Sequence, residues 1–136
     1  MTTTEIRVRW SEIDAQGVVF NANYLMYADV AVTEFMRAGG IMEHCREEFG
    51  QTFVVDANLT FRASARFDDV LTLAVRCERV GRSSYVLTVE MSRDGERLCT
   101  AVLTYVRAVD GQSVALSDGF RGRLGHPPGA PGLDPN

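Results

Sequence analysis

The sequence predicts an α+β domain in which one long helix packs on an antiparallel sheet. Three observations carry this. Several segments alternate apolar and polar residues, the period of a half-buried strand. Between Ala22 and Ala38 the spacing becomes helical, with Leu25, Ala28, Val32, Phe35 and Met36 on one stripe. The later alternating segments are joined by short turn signals, Asp94-Gly95 above all, which suit antiparallel neighbours.

Taken in order, Thr4 to Trp10 reads as a strand with Ile6, Val8 and Trp10 on one face and Glu5, Arg7 and Arg9 on the other. Ser11 to Gly17 is a glycine-containing turn. Asn21 or Asn23 is placed to cap the helix that follows, because an Asn side chain accepts from the free N–H groups of a first turn. Gly39-Gly40 stops that helix. Ile41 to Phe49 reads as irregular or as a short helical turn. Four strands are expected next: Thr52–Ala63, Val70–Val80 with Leu71, Leu73 and Val75 on one face, Tyr85–Ser92 with Tyr85, Leu87, Val89 and Met91 alternating, and Glu96–Val109. Asp68-Asp69, Gly81 to Ser83, Asp94-Gly95 and Asp110-Gly111 supply their turns. Ser117 to Leu124 fits a small helix. All four prolines, Pro127, Pro128, Pro131 and Pro135, lie beyond it. The expected organisation is one domain over residues 1–125 and a disordered Pro/Gly-rich tail over 126–136. One helix cannot cover five long strands, so a homodimer that buries the remaining edge or face, or a tetramer built from it, is expected.

Composition narrows the function. A 46% hydrophobic fraction in 136 residues supports a real core, and a net charge of −4 without a basic tail argues against nucleic acid. No apolar run approaches membrane-spanning length. All fourteen basic residues are arginine, so no lysine can serve as a Schiff-base nucleophile. Cys45, Cys77 and Cys99 lack CxxC spacing, and no secretory leader is evident; a reducing, cytoplasmic setting is expected. Cys77 and Cys99 fall in apolar strand patterns and read as core. Cys45 follows His44, but sequence neighbours do not generally point at each other and no third orienting group accompanies them. Two distant histidines, His44 and His126, make no zinc set.

The stretch Trp10 to Tyr24, WSEIDAQGVVFNANY, is where chemistry concentrates. It sets the carboxylate of Asp14 on a turn before a helix whose first N–H groups lack intrahelical partners and favour negative charge. A carbonyl oxygen polarised there can be attacked by Asp14 or by a water it activates. A turn aspartate also commonly bonds its own backbone. Gly17 serves the turn, or a close approach of substrate to backbone. Glu12, two residues before Asp14, reads as an exposed loop acid, with a paired-carboxylate role as the other reading. Phe20, Tyr24 and Tyr27 belong either to the core or to a pocket wall.

These residues resemble the 4-hydroxybenzoyl-CoA thioesterase family of the hotdog fold. The family signature, D-x-x-G-x-V-x-x-x-x-Y, stands here as Asp14, Gly17, Val19 and Tyr24. FRASARFDD, Phe61 to Asp69, looks like the family's turn into its third strand, and GRSS, Gly81 to Ser84, like its next hairpin. The resemblance covers roughly residues 4 to 109. It implies a five-stranded antiparallel sheet wrapped around one central helix, dimerisation through the sheet, and hydrolysis of an acyl thioester of coenzyme A. It implies Asp14 as nucleophile or general base and the backbone N–H of Asn21 as the group that polarises the carbonyl. A short-chain branch of the family carries histidine where this chain has Asn21, which weakens assignment to that branch. Asp29 aligns with an acid that holds an aryl hydroxyl in the hydroxybenzoyl enzyme; a solvated helix acid is the other reading. Arg82 with Ser83 and Ser84, then Arg62 and Arg66, are expected at the phosphates of coenzyme A. No cofactor or metal is expected beyond coenzyme A as part of the substrate. The competing readings are a thioesterase acting on an acyl carrier protein and a non-catalytic acyl-binding hotdog domain. A histidine-dependent hotdog dehydratase does not fit, because neither His44 nor His126 stands in the signature.

Overall fold

The computed structural model describes residues 1–125 and Leu133–Asp134. The chain begins with β1 (Thr2–Arg7), a 3-10 turn at Trp10–Glu12, and the long helix α1 (Ala22–Ala38). Two single-turn helices follow, α2 (Ile41–His44) and α3 (Arg46–Phe49). The strands β2 (Thr52–Phe61), β3 (Val70–Gly81), β4 (Ser84–Arg93) and β5 (Glu96–Val109) come next. The two-residue β6 (Gln112–Ser113), the helix α4 (Asp118–Arg123) and the two-residue β7 (Leu133–Asp134) complete it. The main strand order is β1-β3-β4-β5-β2, every pair antiparallel; β6 adds to β5, and β7 runs parallel to β3. This is the five-strand sheet around one helix that the resemblance implies. Apart from β7, the expected tail lies outside the described residues.

Register brings the apolar face of each strand onto that of its neighbours. Leu73 pairs with Met91, Val75 with Val89, Leu87 with Leu103 and Val89 with Ala101, and all are buried. α1 lies against this face through Tyr24, Tyr27, Ala28, Ala31, Val32 and Met36. Ala28 and Ala31 are buried, and their small side chains bring the helix backbone close to the sheet.

Several local expectations are corrected. Trp10 is not on the buried face of β1: the strand ends at Arg7, and the 3-10 turn leaves Trp10 72% exposed, edge-on to Phe67. Neither Asn21 nor Asn23 caps α1. Asn21 already has helical backbone angles and makes no side-chain cap bond, while the Asn23 amide donates to the Glu12 carbonyl at 3.0 Å. The buried stripe of α1 is rotated from the expected one. Leu25 is exposed, because the tyrosines at 24 and 27 take the sheet-facing positions. Of the two cysteines expected in the core, Cys99 is buried and Cys77 half-buried; burial pushes both thiols up to about 11. The small C-terminal helix is present, capped by Ser117, whose hydroxyl accepts the Phe120 N–H at 3.1 Å.

Candidate active site

Asp14 sits in a tight loop closed on itself. Its N–H donates to the Val18 carbonyl at 2.9 Å, its carbonyl accepts from Gly17 at 3.0 Å, and Ile13 bridges Val19. Gly17 makes the turn at φ +79, a conformation that favours glycine. The Asp14 side chain does bond its own loop: Oδ1 accepts the Gln16 N–H at 2.8 Å. That bond uses one oxygen and orients the carboxylate. Among the described residues no hydrogen bond uses the other, Oδ2.

After the loop the chain passes through Val19, which donates to the Ala65 carbonyl, into the first turn of α1. No hydrogen bond of the described residues uses the Asn21 N–H. Asp14, Asn21 and Tyr24 line one cleft of about 390 Å³, together with Gln16, Phe61 and Arg62. The helix N-terminus and the carboxylate thus face the same space. A helix of 17 residues aims the positive end of its dipole there.

The remaining predicted residues divide. Tyr24 lines the cleft, but its hydroxyl is engaged, accepting the Ala65 N–H at 3.0 Å; burial pushes its phenol up. Its ring meets Phe61 edge-on at 5.3 Å, so it serves wall and fold together. Arg62 reaches the cleft and is steadied by a 2.6 Å bond to Thr100 Oγ1. Arg66 follows Ala65 on the same stretch and is exposed. Gly17 is exposed and Phe20 half-exposed, and neither lines the cleft. Asp29 lines a different, mostly apolar pocket of about 360 Å³ with Ala22, Leu25, Met26, Val54, Leu103 and Tyr105. The two pockets flank the first turns of the same helix. Arg82, Ser83 and Ser84 are not brought to Asp14 within one chain. Ser84 pairs with Val106, whereas Arg62 bonds Thr100; those positions on β5 lie roughly 20 Å apart at about 3.3 Å per residue. Ser83 and Ser84 are buried, and the Arg82 carbonyl accepts from Leu116 and Arg121.

Glu12 is the main correction. In place of the expected exposed loop acid stands a residue only 5% exposed. Its carboxylate accepts from the Arg9 N–H at 2.9 Å, Arg9 Nε at 2.7 Å and the Tyr27 hydroxyl at 2.8 Å. Burial alone would raise this carboxyl, but those three donors outweigh it and hold the group below its ordinary value. Sequence reasoning also misses Gln16 and Ser64 on the cleft wall. Ser64 lies in FRASARFDD, so the family-like stretch was the signal that could have found it.

Comparison with known proteins agrees with this architecture. A sequence model of the thioesterase superfamily matches residues 16–100. The chain resembles a hypothetical protein from Thermus thermophilus, with 28% identity and a TM-score of 0.83 over 92% of this chain and 98% of that one. It also resembles a second Thermus thermophilus protein, a thioesterase complexed with coenzyme A and zinc, with 23% identity and a TM-score of 0.78 over 90% of each chain. A third likeness is to a 1,4-dihydroxy-2-naphthoyl-CoA thioesterase from Synechocystis, with 18% identity and a TM-score of 0.79 over 90% and 93%. With the family match over most of its length and the hotdog sheet in place, the chain belongs to the thioesterase superfamily and is a thioester hydrolase.

Proposed function

We propose that the protein hydrolyses acyl-CoA thioesters, with Asp14 as the catalytic carboxylate and the Asn21 N–H as the donor to the thioester oxygen. The observation that carries this is the shared cleft: a carboxylate with one uncommitted oxygen faces a helix N-terminus whose Asn21 N–H has no partner among the described residues. A donor aimed at a developing oxyanion stabilises charge that appears only in the transition state. Two routes fit. In one, an Asp14 oxygen bonds to the thioester carbon, the C–S bond breaks to release thiolate, and water hydrolyses the mixed anhydride. In the other, Asp14 takes a proton from the water that attacks. Thiolate leaves readily, so neither route needs a strong general acid.

Arg62 at the cleft and Arg66 beside it suit the phosphates of coenzyme A. Asp29 in the neighbouring apolar pocket favours an acyl group with a hydroxyl or other donor at its far end, because a carboxylate next to apolar walls gains from a partner. Dimerisation through β2 belongs to this reading. That edge strand carries Phe53, Val54, Val55 and Phe61, all about half-exposed, an apolar edge that a second sheet would cover. No helix among the described residues is long and apolar enough to cross a membrane.

The test is thiol release from a panel of acyl-CoAs by wild type and Asp14→Asn. The expected outcome is turnover of one acyl class that drops about 100-fold or more in the variant, the scale of a lost catalytic group. Equal rates for the two proteins on every acyl-CoA would overturn the coenzyme A reading and move the search to carrier-protein thioesters.

A further inference from the structure

We propose that Glu12 is a positioning residue for this reaction, tying the loop of Asp14 to the helix end that carries the Asn21 N–H so that the two act on one carbonyl. The proposal rests on the acyl-CoA reading above and concerns how its two working parts are held in register.

Those parts belong to different elements. Asp14 rides on the 14–18 loop, whose own bonds hold its shape: Asp14 N–H to Val18, Gly17 N–H to Asp14, and Gln16 N–H to Asp14 Oδ1. On its far side the loop is tied to the fold by the Val19 N–H on the Ala65 carbonyl; on its near side the tie is Glu12. The Asn21 N–H rides on the start of α1. Glu12, joined to Asp14 through Ile13, bonds the segments on either side of that loop. Its carbonyl accepts the Phe20 N–H and the Asn23 amide, both at 3.0 Å, which fixes the chain on each side of Asn21. Its carboxylate accepts the Tyr27 hydroxyl one turn further along the helix, and the Arg9 N–H and side chain just past the end of the first strand. The carbonyl bonds come from the backbone and survive substitution. The carboxylate bonds are the part a side-chain change removes. A carboxylate this buried is stable only with its donors in place, so the network holds one arrangement and resists intermediate ones. Tyr27 does not line either pocket beside α1, and its hydroxyl is spent on Glu12.

The experiment compares wild type, Glu12→Gln, Tyr27→Phe, the double variant and Asp14→Asn in the same thiol-release assay, with coenzyme A binding measured by calorimetry. Glu12→Gln keeps the shape but turns a donor toward Arg9. The expected result is a fall in kcat of about 10- to 100-fold, the cost of a misplacement near 1 Å, with KM and the coenzyme A Kd within about twofold. Tyr27→Phe removes one bond and lowers kcat less, and the double variant falls by less than the product of the two, because they share one network. A Glu12→Gln protein that melts earlier yet keeps kcat within about twofold would reduce Glu12 to a fold-stabilising acid and overturn the proposal. So would an unchanged kcat with a raised KM and Kd. If Glu12→Gln does not fold, an unaltered kcat in Tyr27→Phe overturns the proposal by itself. Failure of the underlying reading has a different signature: wild type and Asp14→Asn would then turn over coenzyme A thioesters equally.

Discussion

Two carboxylates two residues apart are treated in opposite ways by this fold. Asp14 keeps one oxygen uncommitted in a cleft, while Glu12 is sealed under three donors. Asp69 resembles Glu12 in kind. Burial would raise it, but the Arg66 N–H and the Arg93 guanidinium at 2.6 Å hold it below its ordinary value. A carboxyl depressed in the folded state contributes stability that is complete above its unfolded pKa, near ~4, and is lost as pH falls through the depressed value. Glu12→Gln therefore flattens the acid side of a plot of Tm against pH, measured by thermal melts from about pH 7 to about pH 3. A plot whose acid side keeps its slope in the variant would show that Glu12 does not carry this contribution. The two-residue interval is legible in the sequence as a pattern. The difference in burial is not, because Tyr27 and Arg9 reach Glu12 only once α1 and β1 have met.

At the scale of elements, the end of α1 is set by a backbone constraint rather than by apolar content. Gly40 adopts φ +78, and a Cβ there would lie 2.5 Å from the Arg123 guanidinium of α4. Gly40→Ala is expected to cost about 1–2 kcal/mol from the left-handed conformation, the exposed Arg123 side chain being free to swing aside. Urea unfolding reads this as a lowered midpoint with an unchanged slope. The glycine pair is visible in the sequence as a helix stop. What it makes room for is not, since Arg123 arrives from a distant part of the chain. The strands are equally legible: their alternation and turn residues place β3, β4 and β5 close to their observed bounds. β1 is shorter than its pattern suggests. Alternation runs on through Trp10 after the backbone has left the sheet, a point at which side-chain period and hydrogen bonding part company.

For the whole molecule, the sheet has an interior that satisfies itself and an edge that does not. β3, β4 and β5 are paired on both sides for most of their length and buried on the helix face, whereas among the described residues β2 is paired only to β5 and shows its apolar side chains to solvent. Placing a charge there is expected to weaken self-association without harming the core. If the chain pairs through β2 as proposed, wild type runs as a dimer in light scattering at micromolar concentration and Phe53→Glu as a monomer, with circular dichroism unchanged; a monomeric wild type would overturn that pairing. A variant that stays dimeric would place the interface elsewhere. This scale also explains why Arg82, Ser83 and Ser84 stand away from Asp14. A hairpin at the far end of long strands cannot fold back to the near end of its own chain.

By itself the sequence determined the element types, the single long helix, the antiparallel connections and the choice of Asp14 as the acid to test. Each of these depends on local periodicity, turn chemistry or a short motif, which neighbouring residues encode. Only the tertiary structure decided which acid is buried, which wall Tyr24 and Arg62 complete, that Asp29 belongs to a second pocket, and that the hairpin arginine lies apart. Those depend on contacts between residues distant in the chain, and burial, partner and direction exist only once helix and sheet have closed on each other.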